Sequence, residues 1–180
     1  MTDRDIILGR LPFGERGAEI GAWRGDFSSR LLSVASELHL IDPWVYTTEY
    51  GNRLYGGAYA RNQADMDDIY RGVCERFWDK PVVIHRLLSS VAAGNFPDKF
   101  FGWVYIDGNH YYDFVLSDLE LYYPKVQIGG LLCGDDYYWT SVELGGDMPV
   151  KRAVSGFVSR HGLGMEVIGS QYLIKCSRQP

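Results

Sequence analysis

No run of apolar residues in this sequence approaches the eighteen or so that a membrane-spanning helix requires. The opening stretch, Met1 to Gly9, is too polar, and its apolar part too short, for a secretory signal. Cysteine is scarce. Cys74, Cys133 and Cys176 form no C-x-x-C pair and leave an odd thiol, which points to a reducing cytoplasm rather than a disulfide scaffold. Basic residues are outnumbered, 18 against 23 acidic ones, giving a net charge of −5 and a pI of about 5.3. That balance argues against a nucleic-acid backbone as the main ligand. There is no internal repeat and no linker-like stretch, so 180 residues are expected to form one domain spanning 1–180. Apolar and aromatic residues, by contrast, abound. A hydrophobic content of 46% is globular composition, and 14% aromatic is more ring than so small a core is expected to bury. Some rings are therefore expected at a pocket or an interface.

Short apolar runs alternate with helix-period stretches along the chain. Strands are predicted at Gly17–Gly21, Leu38–Asp42, Pro81–His85, Phe101–Asp107 and Gly129–Asp136, with a closing antiparallel pair at Met165–Ile168 and Gln171–Lys175. Helices are predicted over 26–37, where Ser28 and Ser29 could help cap the start, and over 63–78, 112–123 and 151–161. The stretch 44–61 is rich in glycine and tyrosine without clear periodicity, and reads as a long loop, a candidate lid over an acceptor. The expected fold is α/β: a doubly wound, Rossmann-like, mainly parallel seven-stranded sheet with an antiparallel C-terminal strand. Ligands in such sheets sit beyond the carboxyl ends of the strands, near the switch point. Glu19, Gly21, Asp42, Asp107, Asp135 and Asp136 all fall there.

The turn after the first strand reads Glu19-Ile-Gly21-Ala-Trp-Arg-Gly25. A dinucleotide fingerprint places a second glycine two residues after the first, to let backbone approach a pyrophosphate. Trp23 stands there instead, and Glu19 would repel a diphosphate. S-adenosylmethionine has no phosphate and carries two positive groups, which acidic neighbours favour. Asp42 at the next strand end suits the ribose hydroxyls of either nucleotide.

Asp107 and the pair Asp135-Asp136 end strands that are neighbours in the doubly wound order, about 4.8 Å apart. Three carboxylates so close repel unless a cation lies between them, and oxygen-only ligation suits Mg²⁺, Mn²⁺ or Ca²⁺. His110, three residues after Asp107 and beyond the tight turn implied by Gly108, is a candidate general base; helix capping or metal ligation are its alternatives. His39 and His85 fall inside apolar strands and read as core residues.

Taken together, Glu19-Ile-Gly-Ala-Trp-Arg-Gly-Asp-Phe-Ser, Tyr105-Ile-Asp-Gly-Asn-His-Tyr-Tyr, Asp118-Leu-Glu, Pro124-Lys and Gly129-Gly-Leu-Leu-Cys-Gly-Asp-Asp-Tyr137 resemble class I S-adenosylmethionine-dependent methyltransferases. The nearest likeness is to the small bacterial group of macrocin-type and other sugar O-methyltransferases. Lys151–Phe157 is similar to the helix that follows the metal-bearing strand in that group, and the resemblance runs from about Gly17 to Lys175. It implies Glu19, Gly21, Gly25, Asp42 and Asp107 around the cofactor, with Ser89 (or Ser90) at the adenine edge. It further implies Asp107, Asp135 and Asp136 on a divalent metal and His110 as base. The implied partner is a small-molecule hydroxyl acceptor, a saccharide by that likeness, with neither nucleic acid nor membrane and with a homo-oligomer left open. The alternatives are an NAD-dependent reductase and a non-catalytic module of the same fold.

Overall fold

The computed structural model describes residues 2–47, 60–140 and 145–177. The chain runs α1 (Asp3–Leu8), β1 (Glu15–Ile20), α2 (Ser28–Leu31), β2 (Ala35–Asp42), α3 (Gln63–Arg76), β3 (Val82–Arg86), α4 (Ser89–Ala92), β4 (Phe101–Ile106), α5 (Tyr112–Tyr122), β5 (Val126–Gly134), α6 (Pro149–His161), β6 (Met165–Ile168) and β7 (Gln171–Lys175). The seven strands form one sheet in the order β3-β2-β1-β4-β5-β7-β6, in which β7 alone runs against the rest. This is the expected Rossmann-like arrangement, and its switch point lies between β1 and β4.

Alternation along β4 shows how the layers form. Val104 and Ile106 face α5 and α6, packing with Leu119, Val154 and Phe157. Trp103 and Tyr105 point the other way, toward Phe27, Leu31, Val73 of α3 and Phe77 just past its end. All six β4 residues are buried, as a strand covered on both faces requires. More aromatic residues are interior than the composition suggested. Trp44, Trp103, Tyr105, Tyr122 and Tyr172 are fully buried. Tyr105 can be buried because its hydroxyl donates to Gln171 Oε1 at 2.6 Å, and that of Tyr122 to the Ser89 carbonyl at 2.8 Å.

Local pattern failed where sheet pairing overrode it. The helix expected over 26–37 is only the four-residue α2, because Ala35 and Glu37 already pair with Glu15 and Arg16 of β1. Ser28 and Ser29 do not cap it: the Ser28 hydroxyl donates to Glu19 and that of Ser29 to the Gly25 carbonyl. Helix α1 was not anticipated, although the Thr2–Asp5 capping box that starts it is a sequence-level signal. Most of the candidate lid, residues 48–59, lies outside the described residues. Of its ends, Trp44 is core rather than lid. No helix among the described residues is long and apolar enough to cross a membrane.

Candidate active site

The turn after β1 is held by its neighbours. Gly21 has φ +87°, and a Cβ there would overlap the Asp107 carbonyl oxygen and lie 2.7 Å from Gly108 Cα. Glycine is therefore demanded by the backbone leaving β4, before any ligand arrives. Trp23 sits at φ +49°, and its N–H donates to Asp42 Oδ2 at 3.0 Å; the Trp44 N–H donates to Oδ1 at 2.9 Å. Asp42 is almost fully buried, and both its oxygens hold backbone amides. It anchors the turn, and a ribose hydroxyl would have to share an oxygen already bonded. Gly25 is placed by packing as well, for a Cβ there would lie 2.8 Å from the Phe77 ring.

Beside this turn lies a cavity of about 450 Å³, walled by Ile20, Ile41, Leu88 and Phe114 and edged by Ser89, Asn109 and Asp118. Among the described residues, no lysine or arginine lines it. The described lining fits a nucleoside with apolar faces and offers a pyrophosphate no counter-charge. Ser89 is on the wall, its hydroxyl donating to Asp118 Oδ1 at 2.6 Å, whereas Ser90 is exposed. Burial pushes the Asp118 carboxyl up to about 6, against the Ser89 bond.

Glu19 does not meet the cavity. It is buried under α2, and burial pushes its carboxyl up to about 8 despite the hydroxyl bond from Ser28. Burial therefore favours its protonated form, against the anionic role expected beside a sulfonium. A carboxyl whose pKa is raised by folding favours the native state at low pH. That contribution is lost as pH rises from the ordinary 4.5 to about 8. Glu19→Gln should keep a hydrogen bond to Ser28 while flattening this loss, which runs at most about 1.4 kcal/mol per pH unit. Urea melts at pH 5, 7 and 8.5 check it; parallel pH profiles for wild type and variant would show that Glu19 is not the source.

The carboxylates beyond β4 and β5 divide into two groups. Arg4 of α1 places its guanidinium between Asp107 Oδ2 and Asp135 Oδ2, with Nη2 2.6 Å from each and Nε 2.7 Å from the latter. Asp135 Oδ1 accepts from the Asp136 N–H and Ser170 hydroxyl, both at 2.7 Å, and from Gln171 Nε2. The three-aspartate ligand set expected from the sequence therefore does not assemble, because protein donors already occupy both Asp135 oxygens. Asp136, at φ +58°, turns instead toward His110. His110 Nε2 is buried 3.1 Å from Asp136 Oδ2 and 3.6 Å from Asp107 Oδ1, close enough for charge pairing though not aligned for a hydrogen bond. These three ligand atoms lie within 4.8 Å of one another, a spacing a small cation could bridge. The imidazolium of His110 is itself a positive charge between the two carboxylates: burial opposes that charge, but Asp107 and Asp136 outweigh burial and raise His110 to about 9. Asp107 itself is pushed up by burial, while His110 holds Asp136 down.

A family profile described as a methyltransferase domain matches residues 18–137, from β1 through the Asp135-Asp136 pair. The chain belongs to that family. Its class I methyltransferase fold agrees with solved structures of low sequence identity. A candidate caffeoyl-CoA O-methyltransferase from Staphylococcus aureus superposes with a TM-score of 0.67 at 15% identity, over 96% of this chain and 82% of that one. A candidate methyltransferase from Streptococcus mutans, solved with S-adenosylhomocysteine, gives 0.60 at 16%, over 95% and 93%. The Burkholderia thailandensis 1,6-didemethyltoxoflavin N1-methyltransferase gives 0.59 at 12%, over 96% and 74%. No curated protein matches the chain. The family match overturns the NAD-reductase alternative. Sequence reasoning missed Arg4, Ser170 and Gln171 in this methyltransferase, since they come from segments remote from its motifs.

Proposed function

We propose that this methyltransferase transfers a methyl group from S-adenosylmethionine to a hydroxyl of a small molecule, with a saccharide as the acceptor class to try first. One observation carries the reading: the turn after β4 borders both halves of the site. Gly108 and Asn109 line the nucleoside-sized cavity, and the next residue, His110, faces Asp136 and Asp107. When bound, the cofactor supplies an electrophilic methyl on a sulfonium, displaced in line by the acceptor oxygen. The chain's part is to wall the adenosine with Ile20, Ile41, Leu88 and Phe114 and to hold the acceptor beside His110. Neutral His110, with its Nε2–H turned to Asp136 and Asp107, takes the hydroxyl proton on Nδ1, and the two carboxylates stabilise the imidazolium that forms. Trp139 and Tyr111 stand beside His110, with ring centroids 5.2 Å (His110–Trp139) and 5.9 Å (Tyr111–Trp139) apart; aromatic faces there favour a ring-shaped acceptor. The chain's own groups carry this mechanism, with Asp135 engaged by Arg4, Ser170 and Gln171 rather than free for a metal.

Calorimetry with S-adenosylhomocysteine and with NADH tests the cofactor assignment. Binding of the first and not the second is expected. Phe114→Ala, at a partly exposed position, should weaken S-adenosylhomocysteine about tenfold with little change in melting temperature. A wild type that binds neither compound, or prefers NADH, would sink the reading.

A further inference from the structure

The geometry points to Arg4 as the resident cation of the β4–β5 strand ends, standing where the sequence places a divalent metal. Its guanidinium straddles Asp107 Oδ2 and Asp135 Oδ2, and neither contact exceeds 2.7 Å. The arrangement is built rather than incidental. Asp135 is almost fully buried, and three donors (Ser170, Gln171 and the Asp136 amide) fix its Oδ1 so that Oδ2 can only face Arg4. The arginine is fixed as well, because its guanidinium carbon lies 4.7 Å over the Phe27 ring and α1 is docked against β6 and β7. A planar fork matched to two carboxylates holds them without the water ligands that Mg²⁺ retains. A dication entering between Asp107 and Asp135 would have to expel the guanidinium and leave it unpaired nearby. The methyltransferase thus carries its positive charge covalently, on its N-terminal helix. On the methyl-transfer reading, Arg4 is then a positioning residue that fixes Asp107 opposite His110, and the reaction proceeds in excess chelator.

Metal titration tests this without an acceptor. Mn²⁺ would be titrated into the full-length wild type, Arg4→Ala and Arg4→Gln, following free Mn²⁺ by electron paramagnetic resonance. Calorimetry with S-adenosylhomocysteine on the same samples reports the cofactor site. The wild type should show no Mn²⁺ binding tighter than about 1 mM, with or without S-adenosylhomocysteine. Arg4→Ala should gain at least about tenfold, because two carboxylates lose their counter-ion, and adding Asp107→Asn should abolish the gain. Arg4→Gln keeps part of the aliphatic stem and an amide donor, and carries the test if the alanine variant does not fold. Micromolar Mn²⁺ binding by the wild type, or no gain in a folded Arg4 variant, would overturn the assignment. Loss of S-adenosylhomocysteine binding with the Mn²⁺ pattern intact would overturn the cofactor reading alone.

Discussion

Replacing His110 with alanine should lower methyl transfer by about 10²–10⁴-fold while leaving S-adenosylhomocysteine affinity unchanged, because the side chain faces Asp136 and Asp107 rather than the nucleoside cavity. The pH dependence carries more information than the size of the loss. A base must be neutral to accept a proton, and His110 is raised to about 9. At pH 7 only about one molecule in a hundred then has it neutral. kcat/KM should therefore climb about tenfold per pH unit from pH 7 and level off near 9, a limb absent from His110→Ala. Asp136→Asn removes one of the two carboxylates that hold the proton, so its limb should move to lower pH. Histidine ring resonances followed by NMR give the same titration before any acceptor is known. A wild-type His110 that titrates near its ordinary 6.5 would refute the charge arrangement.

Gly21→Val should abolish folding rather than weaken cofactor binding. A β-branched side chain at φ +87° is strained in itself, and its first carbon would overlap the carbonyl of Asp107. That carbonyl cannot retreat, because the Asp107 N–H is tied to Ile20 O at 2.8 Å and the Gly21 N–H to Ile41 O at 2.9 Å. The clash therefore falls on three adjacent strands at once. A loss above about 4 kcal/mol is expected, enough to unfold a marginally stable domain. The variant should appear in the insoluble fraction or melt without a cooperative transition. A soluble Gly21→Val with a wild-type melt and lowered cofactor affinity would return the glycine to a ligand-contact role.

The difference between sequence and structure at this site is one of range. Alternating strands and helices, and the residues just past each strand end, are short-range signals, so the sheet, Asp107, His110 and the double aspartate were legible. The role of Gly21 depends on which backbone crosses it, a fact of tertiary packing, and a cofactor contact was the natural inference without it. Asp135 and Asp136 look equivalent as neighbours, yet the left-handed backbone at Asp136 sends its side chain to His110 while Asp135 faces Arg4. Arg4 is 103 and 131 positions from its partners, and no local pattern connects them. Glu19 was legible as a residue, but the upward push on its pKa was not, since that comes from burial beneath α2.

The bonds from Ser170 and Gln171 to Asp135 bear on the order in which this chain acquires its chemistry. Ser170 lies in the turn between the last two strands, and Asp3 of α1 accepts its N–H at 3.4 Å. During synthesis, β1 to β5 with their helices can collapse as soon as they emerge, since those pairings need nothing later in the sequence. Asp135 then waits without its Ser170 and Gln171 donors until the β6–β7 hairpin is made, and α1 cannot seat against that hairpin until the same moment. The strand-end charges are thus completed by a segment translated after them, and its contact with α1 spans a very large sequence separation, which is slow to form. Ribosome-stalled chains ending at Ile168 should already resist proteolysis across β1–β5 yet leave α1 open to cleavage.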